Sequence, residues 1–265
     1  MPDSTHATSP LVRRRRFLET QLAIALGISG GTRLARAALD DPAERPSPLR
    51  VRVWCEGTAP RSIYPEDIDG ALCASLRCDK SLAVSSARLE QPDAGVPDSV
   101  LDQTDVLVWW GRLKHDEVPD ARAQAVVERV KAGTLGLVAL HGSYASKPFC
   151  TLMGKACEPK AWRDEGKPEQ VTIEAPEHPI AKGVAPFTIP RTRMFTEPFE
   201  VPEPETVVFR SRWESGESFR SGLTWSVEKG RVAYLRPGDD SYPVLFHPSV
   251  ALLVLNSVKW TGRCV

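Results

Sequence analysis

The chain predicts an α/β fold, a doubly wound and mostly parallel sheet with a β-rich extension at its C-terminal end. Three observations carry that expectation. Two short apolar runs, Asp105-Val-Leu-Val-Trp-Trp110 and Leu135-Gly-Leu-Val-Ala-Leu140, are bounded by turn residues, as strands buried on both faces are. Between them, Val118, Ala121, Ala125, Val126 and Val130 mark one stripe of a helix running to about Ala132, with Gly133 as its C-cap. Strand, helix and strand make a right-handed βαβ unit. Beyond Lys147 the texture changes to short alternating strands.

In order, Leu49 to Cys55 alternates and stops at Glu56-Gly57, giving the first strand. Pro65-Glu66-Asp67 opens a helix with proline and acids in its first turn, and Ile68, Leu72 and Leu76 mark its inner face. Ala83 to Leu89 reads as a weaker strand, Pro92 to Pro97 as a loop, and Val100-Leu101 as part of a short helix. Phe149 to Met153 is a further short helix, and Val171 to Glu174 a strand. Thr206 to Trp213, Ser218 to Trp225 and Gly230 to Leu235 read as successive antiparallel strands. Arg236-Pro-Gly-Asp-Asp240 breaks the last of them, and Pro248 to Trp260 forms the final helix.

Composition narrows the function classes. The 265 residues carry 34 Lys plus Arg against 34 Asp plus Glu, so no net charge argues for a nucleic-acid partner. No apolar run approaches the ~20 residues of a membrane span. Arg13 to Arg16, then Phe17-Leu18, a mildly apolar stretch and Ala35-Arg36-Ala37 follow the layout of an export signal of the twin-arginine (Tat) type. The expectation is a signal peptide over residues 1–37, a proline-rich lead-in over 38–48 and a domain over 49–262. The Tat machinery would be a partner, and the protein periplasmic or extracellular. Six cysteines are too few for a disulfide framework; Cys150 with Cys157 is one possible pair.

The candidate site lies at the carboxyl ends of the strands, where open α/β sheets bind ligands. The Leu140 strand releases His141 and the Trp110 strand releases His115 a few residues on, so one shared crevice is expected. Trp110 can reach it from its strand end, sheet packing being the alternative. Asp239 and Asp240 belong to the last strand-end loop, where a plain turn is the alternative.

Several segments in order resemble the ThuA-like (trehalose utilisation) family. They include Asp105-Val-Leu-Val-Trp-Trp110 with His115-Asp-Glu-Val118, Gly136 to His141 with Ser146-Lys147, His178-Pro-Ile-Ala181, Met194-x-x-Glu197-x-Phe199, Gly216-Glu-x-Phe-Arg-Ser-Gly222 and Arg236-Pro-Gly238 with Tyr242-Pro243. The match runs from about Val51 to Trp260. It implies a flavodoxin-like, class I glutamine amidotransferase-like three-layer sandwich and a place in trehalose or keto-sugar utilisation. Glutaminase chemistry is not expected, because the elbow His141-Gly-Ser143 lacks a cysteine.

Carried over by position, the resemblance implies His141, His115 and Glu197 as catalytic residues and as ligands of a divalent metal, zinc or manganese. Arg112, Tyr144 and Asp239 stand where the family pattern has histidine, and Cys55 where it has a polar residue. With Trp110 and Asp240 these are the candidate substrate contacts. A guanidinium at position 112 repels a cation and suits sugar oxygens or a carboxylate. Two readings follow: an exported enzyme doing acid/base or metal-assisted chemistry on a small sugar, or a carbohydrate-binding or scaffold protein that has lost catalysis.

Overall fold

A computed structural model of the protein describes residues 47–264. The expected signal peptide, and all but the last two residues of the lead-in, lie outside the described residues. In order the elements are β1 (Leu49–Cys55), α1 (Asp67–Leu76), β2 (Leu82–Arg88), α2 (Asp98–Leu101), β3 (Val106–Trp110), α3 (Asp120–Ala132) and β4 (Gly136–Leu140). Then come α4 (Lys147–Met153), β5 (Pro159–Ile173), β6 (Phe187–Phe199), β7 (Thr206–Arg212), β8 (Ser218–Val227), β9 (Gly230–Leu235) and α5 (Pro248–Thr261). No described helix is long and apolar enough to cross a membrane.

The nine described strands form one sheet in the order β2-β1-β3-β4-β9-β8-β7-β5-β6. From β2 to β9 every pairing is parallel, and from β9 to β6 every pairing is antiparallel. The expectation of a mostly parallel sheet is therefore corrected. Residues 159–199, which carried only one short predicted strand, pair as the long β5–β6 ribbon and enlarge the antiparallel half. β9 belongs to both halves, antiparallel to β8 and parallel to β4. The extension is thus a continuation of the central sheet.

Alternation along the strands builds a core on each side. Val51, Val53, Val106, Val108, Val138 and Leu140 face Ile68 and Leu72 of α1 and Val250, Leu253 and Val254 of α5. Trp54, Leu107, Trp109, Leu137 and Ala139 face Val126, Val127 and Val130 of α3 and Phe149 of α4. Trp54 and Trp109 stack with ring centroids 3.9 Å apart. The three layers match the predicted sandwich. All five residues of β3 and of β4 are buried, as the apolar runs require.

α3 ends where predicted. Gly133 takes φ +78°, and its N–H and the next donors satisfy the last carbonyls of the helix. Cys150 and Cys157 are both free thiols, donating to the carbonyls of Tyr144 and Lys155 respectively, and the nearby Cys157 thiol lowers the pKa of Cys150.

Candidate functional site

Four parallel strands end level. Cys55 pairs with Trp110, Trp110 with Leu140, and Leu140 with Leu235. The next residue of each strand, respectively Glu56, Gly111, His141 and Arg236, therefore leaves by one rim.

His141 starts a single 3₁₀ turn, His141–Ala145, with φ +54°. A side-chain-bearing residue in that region costs about 1–3 kcal/mol, so the surroundings must hold it. Tyr234 Oη donates to the His141 carbonyl at 2.9 Å. A Cβ on Gly142 would lie 2.7 Å from the Gly111 carbonyl, so only glycine fits behind the histidine. Ser143 Oγ donates to the Trp109 carbonyl and accepts from the Gly111 N–H, both at 2.8 Å. That hydroxyl ties the β3 and β4 exits together.

The imidazole is 2% exposed, and its Nδ1 lies 3.2 Å from the Arg236 carbonyl oxygen. A carbonyl only accepts, so Nδ1 carries the proton and Nε2 keeps its lone pair. Burial lowers the pKa of His141 from its ordinary value; Asp239 and Asp240 oppose the shift while Arg236 and Arg193 add to it. At neutral pH the ring is an uncharged base.

Asp239 and Asp240 are buried beside it, and the ligand atoms of the three residues lie within 4.8 Å of one another. Arg193, from β6, donates to both carboxylates: its backbone N–H and Nη1 reach Asp239 at 2.9 and 3.0 Å, and Nη1 reaches Asp240 at 2.8 Å. Arg112 Nη1 takes the other Asp240 oxygen at 2.9 Å, and the Ser241 N–H donates to Asp239. Burial would raise the Asp240 carboxyl, but the guanidiniums of Arg193 and Arg112 hold it below the usual carboxylate range.

Arg112 is itself held in place. Glu56, whose side chain is fully buried, accepts the backbone N–H groups of Arg112, Leu113 and Lys114, each at 2.9 Å. The cavity beside His141 has a volume of about 100 Å³. Strand-end loops give one wall (Arg112, Leu113, His141, Gly142, Tyr144), and the β5–β6 ribbon gives the other (Trp162, Arg193, Phe195).

The structure thus brings together five predicted residues, His141, Arg112, Tyr144, Asp239 and Asp240, and places four elsewhere. His115 leaves by the same rim but turns to Glu56, its Nδ1 3.8 Å from Oε1, and burial lowers its pKa. Glu197, on β6, is bound by the Arg220 side chain at 3.0 Å and by the N–H groups of Arg220 and Phe199. Trp110 is buried, its indole N–H donating to the Gly238 carbonyl at 2.8 Å, which pins the loop carrying Asp239. The Cys55 thiol faces Asp69 and Asp67, at 3.4 and 3.7 Å, and burial pushes its pKa up.

Arg193, Trp162, Phe195 and Glu56 had not been singled out. Glu56 did carry a signal, being the first residue beyond a buried strand. Arg193 and Trp162 lie in segments with no strand signal of their own.

The predicted metal set His115, His141 and Glu197 is not assembled: among the described residues, only Cys55-Asp67-Asp69 and His141-Asp239-Asp240 bring three such ligand atoms together. The second group does not fit a divalent ion. Both guanidiniums already neutralise its carboxylates, Asp239 accepts on both oxygens, and Nδ1 of the histidine is engaged. A cation there would have to displace Arg193.

A family profile described as trehalose utilisation, ThuA, matches residues 66–261. The chain belongs to the ThuA family. Solved ThuA-like folds agree with the architecture. A protein described as ThuA-like from Bacteroides uniformis is 16% identical with a TM-score of 0.61, over 83% of this chain and 95% of its own. A second, from Parabacteroides merdae, is 11% identical with a TM-score of 0.63, over 82% and 91% respectively. At such identities the likeness speaks for the fold alone. Among curated proteins no relative matches the chain.

Proposed function

We propose that this ThuA-family chain acts on a keto-sugar of the trehalose type, with His141 as the general base. The observation that carries this reading is the Nδ1 contact with the Arg236 carbonyl, which makes Nε2 the unprotonated nitrogen of a histidine that lines a small polar cavity. A neutral, buried imidazole next to donor groups suits removal of a proton from carbon adjacent to a carbonyl. Negative charge then develops on the carbonyl oxygen, and the donors of Arg112 and the hydroxyl of Tyr144 stand on the same cavity wall to stabilise it. Asp239 and Asp240 keep the two guanidiniums in place.

His115 and Glu197, implied as catalytic by the resemblance, have no part in this scheme, and no step passes through a metal. Export through the Tat route, from the arginines at positions 13–16, completes the proposal. The test is turnover of keto-disaccharides by the wild type and by His141→Ala. Loss of turnover with a retained fold supports the reading. An unchanged rate refutes it, and sugar binding without any wild-type turnover favours the carbohydrate-binding alternative.

A further inference from the structure

The described residues expose only three large apolar side chains: Leu113, Trp162 and Phe246. Two of them, Leu113 at 62% and Trp162 at 53% exposure, stand on the wall of the same cavity as His141, one on each side. Scattered surface apolar residues need no explanation, but a pair facing across a polar cavity is a different matter. The fold holds both where they are. The Leu113 N–H is fixed by the buried Glu56 carboxylate at 2.9 Å. Trp162 is paired in register with Phe195 of β6, and the Arg193 guanidinium lies 5.9 Å from its ring centroid.

The size of the cavity says what the pair is for. Its volume of about 100 Å³ is below the ~300–1,000 Å³ of pockets that enclose a whole small molecule. It admits the reacting edge of a ligand and leaves the rest at the mouth. A pyranose ring has a polar edge of hydroxyls and an apolar face of C–H groups. The interior offers the first its partners: Arg112, Tyr144 and the Nε2 of His141. The mouth offers the second an open indole and a leucine.

We propose that Trp162 and Leu113 form a platform for the second ring of a two-ring sugar, whose first ring reaches His141. This rests on the keto-sugar reading above and adds to it the residues that hold the distal ring. The platform sets specificity: it contributes to binding the distal ring and takes no part in moving the proton.

The test compares a keto-disaccharide (trehalose oxidised to a ketone on one ring) with the corresponding keto-monosaccharide. In Trp162→Ala the preference for the disaccharide, as a ratio of kcat/KM values, should fall roughly tenfold, mainly through KM, and Trp162→Phe should restore most of it. Leu113→Ala should move the ratio the same way by a smaller factor. Thermal melting shows that each variant is folded. Equilibrium binding of the keto-disaccharide to His141→Ala, with and without Trp162→Ala, should show the same loss without turnover. A ratio unchanged in Trp162→Ala, while the wild type still processes the sugar, overturns the platform and leaves the function standing. A wild type that neither binds nor converts either sugar overturns both.

Discussion

Nδ1 of His141 sits 3.2 Å from the carbonyl oxygen of Arg236, and that one contact fixes the tautomer of the only imidazole that the described residues place on the wall of the cavity. The carbonyl comes from the residue after β9 and the histidine from the residue after β4. Their meeting is a product of strand pairing, because Leu140 and Leu235 are register partners.

The first prediction concerns pH. Burial lowers the pKa of His141, so the base stays unprotonated below the ordinary imidazole value near 6.5. The acid limb of kcat/KM should fall below that pH, with a flat profile through neutrality. The stability sign follows from the same shift. A histidine with a depressed folded pKa contributes stability above its unfolded pKa and loses it as pH falls through the folded one. A limb at or above the ordinary value, measured on a true substrate, removes His141 as the base.

Arg193 should be structural as much as functional. Arg193→Ala leaves the buried carboxylates of Asp239 and Asp240 short of their main partner. Breaking such a pair from one side costs about 3–5 kcal/mol, which lowers Tm by roughly 10 °C in a domain of this size. Differential scanning calorimetry reads this directly. Arg193→Lys should recover little, since one ammonium cannot span the atoms that the guanidinium reaches.

Glu56 is expected to act at a distance. In Glu56→Ala three consecutive N–H groups lose their acceptor, and the loop that carries Arg112 is released. We expect a destabilisation of about 2–4 kcal/mol together with a fall in kcat, because Arg112 no longer holds its position on Asp240. Glu56→Gln keeps an acceptor for Arg112 and Lys114 but sets an amide NH2 against the Leu113 N–H, so it should recover only part of the stability. Equal kcat in the wild type and Glu56→Ala would show that the loop needs no such anchor.

Chelation provides the fourth prediction. Because guanidiniums already hold Asp239 and Asp240, prolonged treatment with EDTA should leave both melting temperature and turnover unchanged. Stoichiometric zinc or manganese in purified protein, lost together with activity on chelation, would reverse this reading of the site.

Export can be checked separately. Replacing Arg14 and Arg15 by lysine should retain the protein in the cytoplasm, as cell fractionation and immunoblotting will show. Continued appearance in the periplasm rules out the twin-arginine route.

The centre of the parallel half was legible in sequence because β3 and β4 are buried on both faces, and uninterrupted apolar runs between turn residues leave little choice, while β1 showed itself by alternation. The β5–β6 ribbon was not. β6 contains Pro190 and Pro198, which disfavour a central strand, yet it lies at the edge of the sheet, where a missing N–H is tolerated. Most of β5 from Pro159 to Gln170 is charged or polar and largely exposed, so it lacks alternation. The unread ribbon supplies Arg193 and Trp162, and half of the cavity was missed with it. His141 was found because it directly ends an apolar run. His115 came from its place after the Trp110 strand as well as from resemblance, and Glu197 from resemblance alone; their side chains found other partners in Glu56 and Arg220.

The double membership of β9 has a consequence for folding. It joins the sheet beside β4 only after the whole antiparallel half has been synthesised, so until then β4 is an unprotected edge, apolar on both faces. A chain truncated before Gly230 would therefore present a sticky border suited to pairing with other chains. Long-range closure of this kind slows folding, and aggregation of C-terminally shortened forms is the natural outcome.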